Sequence, residues 1–324
     1  MADTALAIEA RGLARNFGSF AAVRGIDLSV ARGEVFGLLG ANGAGKTTAI
    51  RMLCGTLAPT RGQVRIAGID MVRQARRMRG RIGYVTQRFT LYGDLTVLEN
   101  LRLQAGLYAV RGERLATRID WALERLNLRE ARDSLAARMP LGLQRRLAVA
   151  CALLHEPDVL FLDEPTSGID PLARQQLWEL VYELAESGIG VLVTTHYMDE
   201  AAFCDRLALM DSGRIIAEGT PRDLLARPLA SPLVQLHLGS RTAGGTAEQA
   251  DWVRRMAGWT GVREVLPSAG RLRVRLSAGQ DAAAFIARVE AESAERGLAI
   301  RVDGTAAPEL EDVFVALLDE QVAA

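Results

Sequence analysis

The residues with the plainest chemistry are Gly40-Ala41-Asn42-Gly43-Ala44-Gly45-Lys46-Thr47-Thr48. They follow the pattern G-x-x-x-x-G-K-[ST], between an apolar stretch, Glu34–Leu39, and a helix expected from Thr48 to about Cys54. In that setting the glycines let the backbone curl so that successive N–H groups face an anion. The following helix adds its free N–H groups and the positive end of its dipole. Lys46 suits the terminal phosphates of a nucleotide, and the Thr47 hydroxyl suits Mg²⁺. Gly40, Asn42, Gly43, Ala44, Gly45, Lys46, Thr47 and Thr48 are therefore candidate nucleotide-binding residues. Lys46 is also the only lysine among 39 basic residues. A compact ammonium is kept here, where a planar guanidinium would not fit the loop.

Other polar residues stand at the ends of apolar runs, where open α/β sheets place ligands. Val159–Leu162 runs into Asp163-Glu164. Two acids at the tip of a buried strand are costly unless a cation or water uses them. Asp163 fits a Mg²⁺-anchoring acid, and Glu164 a group that polarises the attacking water. Ile82–Val85 leads to Gln87, either a Mg²⁺ or water ligand or an ordinary turn residue. Gly190–Thr195 ends at His196, placed to bond a γ-phosphate. Phe17, in an Asn-Phe-Gly turn, either stacks on an adenine ring or is a satellite core residue.

The elements that must position these groups read as follows. Leu6–Ala10, Leu13–Phe17 and Val23–Val30 alternate as short antiparallel strands. From Thr96 to Leu154 the period is helical, with Leu115, Ile119, Leu123 and Leu126 on one face. Asp133–Leu143 breaks it. A helix from Gln144 to about Leu154 is apolar nearly all round after Arg145 and Arg146, so it is expected to be buried. Ser167-Gly168-Ile169-Asp170 is a tight turn before a helix from Leu172 to Glu186. Prolines 221 to 232 mark a boundary, and beyond it the order is β-α-β-β-α-β, ferredoxin-like, with a turn at Ser268–Gly270 and a last helix from Glu309 to about Leu318. The domains are placed at 1–228, with a helical segment at about 88–156, and at 229–324.

Bulk properties agree. A chain of 324 residues accommodates two domains, and 39 acidic against 39 basic residues leave no basic field for nucleic acid. The longest apolar run, Leu147–Leu154, is far short of the ~20 residues that span a bilayer. Residues 1–4 begin no leader pattern, and Cys54, Cys151 and Cys204 read as reduced core residues.

Gly40–Thr48, Gln87, Leu160–Glu164, Ser167–Asp170 and His196, in that order, resemble the ATP-binding subunit of an ABC transporter. The resemblance covers residues 1 to about 226. It implies an α/β P-loop core with an antiparallel β-subdomain and a helical subdomain, beside the small C-terminal α+β domain. It makes Gly40–Thr48 the Walker A loop, Gln87 the Q-loop, Asp163 the Walker B acid, Glu164 the catalytic base or water-polarising residue, Ser167–Asp170 the D-loop and His196 the switch histidine. ATP and Mg²⁺ are the implied cofactors. The Pro165–Pro171 run and Thr195–Ala201 look most like the exporter branch, whose membrane permease subunits are separate chains. That implies a cytoplasmic ATPase, peripheral on the membrane, exporting a drug-like, lipid or other small substrate. The alternatives are an ABC-type ATPase acting on ribosomes or DNA and a nucleotide switch without turnover. One departure stands out. Arg146 lies seventeen residues before Asp163, where the family's post-signature arginine falls. Counting back, the L-S-G-G-Q signature lies at Met139-Pro140-Leu141-Gly142-Leu143, and only the second glycine survives, as Gly142. The site is shared across a dimer in this family, so a second ATPase subunit, identical or not, is implied.

Overall fold

The computed structural model describes residues 5–87, 90–229, 231–238, 245–268, 271–295 and 300–323. The chain divides into two compact units, Met1–Arg222 and Asp223–Ala324, six residues ahead of the 228/229 boundary expected from the prolines. Residues 1–4 and the Ala269-Gly270 part of the expected turn lie outside the described residues.

The first unit opens with two long strands, β1 (Leu6–Phe17) and β2 (Phe20–Ala31). Several short strands were expected there. The alternation breaks because register shifts interrupt the β1–β2 pairing, one of them between Ala10 and Leu13, beside Gly12 at φ +57°. A bulge inserts a residue without ending the strand. Then follow β3 (Val35–Leu39), α1 (Lys46–Leu53), β4 (Arg61–Ile66), β5 (Ile69–Asp70), α2 (Met71–Arg79) and β6 (Ile82–Val85). Three helices come next: α3 (Val97–Leu107), α4 (Gly112–Arg125) and α5 (Leu141–Leu153). Helix α3 is entered through a capping box in which Thr96 and Glu99 exchange hydrogen bonds. Helix α5 starts three residues before the expected Gln144, because Pro140 ends the preceding extended segment and occupies the N-cap. The unit continues with β7 (Val159–Asp163), α6 (Pro171–Glu186), β8 (Gly190–Thr195), β9 (Arg206–Asp211) and β10 (Arg214–Gly219), and the short helix α7 (Pro221–Leu225) carries the chain across the division between the units.

Its main sheet has the order β10-β9-β3-β8-β7-β6, parallel from β9 to β6. All five residues of β3 and of β7 and all six of β8 are buried, as expected of parallel strands covered on both faces. The order puts β3, β8, β7 and β6 side by side. The segments leaving their carboxyl ends, the Gly40 loop, His196, Glu164 and Gln87, therefore stand along one edge. The antiparallel sheet β2-β1-β4-β5 shares a core with the other face, built on Phe36, Ile50, Met52 and Phe161.

The second unit contains β11 (Leu233–Leu238), α8 (Gly245–Ala257), β12 (Val262–Ser268), β13 (Arg271–Leu276), α9 (Ala282–Glu295), β14 (Ile300–Thr305) and α10 (Leu310–Ala323). Its sheet is fully antiparallel in the order β12-β13-β11-β14, the ferredoxin-like arrangement. Helix α10 runs five residues past the expected end at Leu318.

Candidate active site

The loop between β3 and α1 is shaped by close approach. A Cβ at Gly40 would lie 2.1 Å from the Met210 carbonyl oxygen, and one at Gly45 (φ +108°) 2.6 Å from that of Ala22. Only glycine fits either place. Helix α1 begins at Lys46, two residues earlier than expected, directly on the left-handed Gly45. Asn42 and Gly43 are exposed, Ala44 is buried and Thr48 half-buried. Lys46 is 5% exposed and donates from Nζ to the carbonyls of Gly40 (2.7 Å) and Ala41 (3.1 Å). Its Nζ is 3.8 Å from Glu164 Oε1. Burial lowers the Lys46 pKa, and the charges of Glu164 and Asp163 partly oppose that.

Asp163, at the end of β7, is 2% exposed. Its Oδ1 accepts from Thr194 Oγ1 at 2.7 Å and from Thr47 Oγ1 at 3.3 Å. Burial raises its pKa, the two hydroxyls work against that, and neighbouring Glu164 adds to it. Glu164 takes the left-handed region at φ +47°, unusual for a residue with a long side chain. The conformation is held by its N–H, which donates to both the Thr194 carbonyl and the Thr194 hydroxyl at 3.1 Å. It turns the carboxylate out of the strand's line and toward Lys46. Gln87 Nε2 donates to Glu164 Oε2 at 2.8 Å, and His196 Nδ1 lies 3.3 Å from the same oxygen. Glu164 is therefore the hub on which Lys46, Gln87 and His196 converge.

Thr47 and Asp163 offer hard oxygen donors, and the buried carboxylate is expensive to keep charged without a cation. The set suits Mg²⁺. Among the described residues no cluster of three His, Cys, Asp or Glu side chains makes a separate metal site. Phe17 stands at the β1–β2 turn, 48% exposed, with the Arg15 guanidinium 4.7 Å from its ring centroid. Gly142 lies in the first turn of α5, where a Cβ would sit 3.3 Å from Ala173 Cβ at the start of α6. Leu141 is 41% exposed, and its Cδ2 would be 3.3 Å from a Cβ on Gly168.

The ABC transporter family profile matches residues 23–167. The daunorubicin/doxorubicin resistance ATP-binding protein DrrA of Streptomyces peucetius is 39% identical over 316 residues, 96% of this chain and 92% of that protein. The chain belongs to the ABC transporter ATP-binding family. It spans 38% of the length of the probable multidrug ABC transporter ATP-binding protein YbhF of Escherichia coli, with 48% identity over 220 residues, 68% of this chain. Among known structures, an ATP-binding subunit of an ABC transporter superposes with a TM-score of 0.62 at 31% identity, over 67% of this chain and 91% of that one. The ATP-binding cassette MJ0796, bound to ADP and Pi in a dimeric post-hydrolysis state, gives 0.61 at 26% identity, over 66% of this chain and 98% of that one.

Two residues of this ABC site escape a reading by sequence. Thr194 reads as one more β-branched strand residue, yet its hydroxyl joins Asp163 to the Glu164 backbone. The strand-end argument that singles out Gln87 applies to it equally. Arg145 is read as the polar start of a buried helix. It is 7% exposed, and its guanidinium donates to the carbonyls of Thr86 (3.0 Å) and Gln87.

Proposed function

We propose that the chain is an ATPase that uses Mg²⁺ and energises export of a drug-like, lipid or other small substrate through separate membrane permease subunits. The observation that carries the chemistry is the convergence of Lys46, Gln87 and His196 on Glu164, one residue from the buried Asp163. Lys46 and the N–H groups of the Gly40–Thr47 loop bind the phosphates. Thr47 and Asp163, with Gln87 as a further ligand, would hold the Mg²⁺, and the ion would supply positive charge against the phosphate oxygens. Glu164 accepts a hydrogen bond from the attacking water, orients it and takes its proton. Gln87 and His196 fix the carboxylate that does so. Phe17 stacks on the adenine.

Names of relatives that speak of drug resistance and multidrug transport support export. Among the described residues no helix is long and apolar enough to cross a membrane, consistent with an ATPase peripheral on the cytoplasmic face. Tyr92 is the docking point for a permease segment. Tyr92 is 59% exposed, while buried Asn100 bonds its N–H at 3.0 Å and its carbonyl at 2.9 Å. The altered signature at Pro140 and Leu141 favours a second, non-identical ATPase subunit whose intact signature completes this chain's site.

The test is Glu164→Gln. Turnover is expected to fall by about a hundredfold or more, in the range of acid–base groups, with ATP affinity intact. Lys46→Ala is expected to weaken ATP binding itself. Wild-type turnover in Glu164→Gln, in a preparation free of contaminating ATPase, would refute the assignment.

A further inference from the structure

Arg145 carries a buried guanidinium, 7% exposed. Among the described residues it makes no ion pair, and its Nε has no hydrogen-bond partner. Burial lowers its pKa. An apolar side chain of similar length would fill the space without that desolvation cost. What Arg145 does with its charge is specific. Two of its nitrogens donate to two successive carbonyls, those of Thr86 and Gln87. A planar fork of donors fixes the direction of both carbonyls together, which a single ammonium cannot do. The second carbonyl belongs to the residue whose side-chain amide meets Glu164 Oε2 at 2.8 Å. The peptide plane of Gln87 sets where its side chain starts, so the clamp on the backbone aims the amide.

The clamp comes from α5, the helix whose first turn carries Leu141 and Gly142. Arg145 lies one turn further along the same rigid element. A chain of contacts thus runs from α5 through Arg145 and the Gln87 backbone to the Glu164 carboxylate.

We propose that Arg145 is a positioning residue, whose guanidinium clamps the Thr86–Gln87 backbone to α5 and so aims the Gln87 amide at the Glu164 carboxylate. This rests on the reading of Glu164 as the water-orienting group, and its test separates the two. Four variants of the full chain are compared, Arg145→Met, Gln87→Ala, the double variant and Arg145→Lys. Each is measured for kcat and KM of Mg·ATP turnover and, separately, for nucleotide affinity by equilibrium binding.

Arg145→Met is expected to lower kcat about tenfold or more, the scale of a misplaced catalytic group. Nucleotide affinity stays within about twofold, because Arg145 touches nothing in the phosphate loop. The double variant is no slower than the slower single one, since a clamp with no amide to aim has no further effect. Arg145→Lys, with one donor group for two carbonyls, recovers part of the loss.

Wild-type kcat in Arg145→Met overturns the proposal. So do losses that multiply in the double variant, normal turnover in Gln87→Ala beside a slow Arg145→Met, or an affinity loss equal to the turnover loss. If Arg145→Met does not fold, Arg145→Lys combined with Gln87→Ala carries the same non-additivity comparison. Undiminished turnover in Glu164→Gln would sink the functional reading instead. A slow Glu164→Gln beside an unaffected Arg145→Met would sink only the clamp.

Discussion

Thr194→Val keeps the shape of a fully buried side chain and deletes one hydroxyl. That hydroxyl donates to Asp163 Oδ1 at 2.7 Å and accepts from the Glu164 N–H at 3.1 Å. The N–H keeps a second acceptor, the Thr194 carbonyl at 3.1 Å, so the loss falls on Asp163. A hydrogen bond to a charged group contributes about 1.5–3 kcal/mol. The sign with pH follows from the direction of the Asp163 shift. Its folded pKa is raised by burial, and the Thr194 bond is the first of the effects that pull it down. Without that bond it rises further. A carboxyl with a raised folded pKa contributes stability that is fully present below the unfolded value, about 3.9, and lost as pH rises through the folded value. Relative to the parent, the nucleotide-free variant is therefore expected to be less stable by about 1.5–3 kcal/mol at pH 7, with the gap narrowing as pH falls toward 4. Urea unfolding across that range measures it. The second readout is function. Loss of a group that orients a metal-binding carboxylate typically costs about 10–100-fold, so the Mg²⁺ concentration for half-maximal ATPase is expected to rise by that factor. Equal stability at pH 7 together with an unchanged Mg²⁺ requirement would refute the reasoning.

Tyr92→Glu puts a charge on an exposed ring whose backbone Asn100 holds in place. It is expected to abolish co-purification with the permease and transport while leaving basal ATPase within about twofold, because a substitution at a docking surface spares the chemistry. Pro140→Ser with Leu141→Gly restores a hydroxyl and a small residue at the start of α5. In the chain purified alone, ATPase is expected to rise by about 10–100-fold, the equivalent of one charge-assisted hydrogen bond; no gain would argue against an incomplete site. Asp312 is 2% exposed and accepts from Arg275 at 3.3 Å and from the Glu309 N–H at 2.8 Å. Asp312→Ala leaves Arg275, itself 2% exposed, with only the Glu264 carboxylate, 3.9 Å away, as counter-charge. Local stability across β11–β14 is expected to drop by about 3–5 kcal/mol, read as faster amide exchange in those strands.

Much of the ABC unit was legible because its polar residues interrupt apolar runs. Asp163, Gln87 and His196 stand out against Val, Leu and Ile, and the loop carries its own pattern. The alternating tail likewise betrayed its four antiparallel strands. What stayed hidden was hydrogen bonding by residues that look ordinary for their element. Thr194 passes for a β-former and Arg145 for the polar start of a buried helix. Glu164's left-handed backbone has no mark in the sequence, since Pro165 after it restricts Glu164 away from the right-handed helix region without choosing what replaces it. The β1–β2 pair misled because bulges shift the alternation without ending the strand. The start of α5 misled because the decisive residue was the proline in front of the helix, not the apolar period within it.

Lys46 has a use beyond binding. Apart from the α-amino group, it bears the one primary amine in a chain of 324 residues. Its pKa is depressed by burial, so at a given pH more of it is the free, nucleophilic amine than at an exposed lysine. A small acylating or isothiocyanate reagent therefore becomes a reporter for a single atom, without mutagenesis or a tag. Its reaction rate reads how often Lys46 Nζ leaves the Gly40 and Ala41 carbonyls. Protection by a nucleotide gives an occupancy curve that needs no turnover.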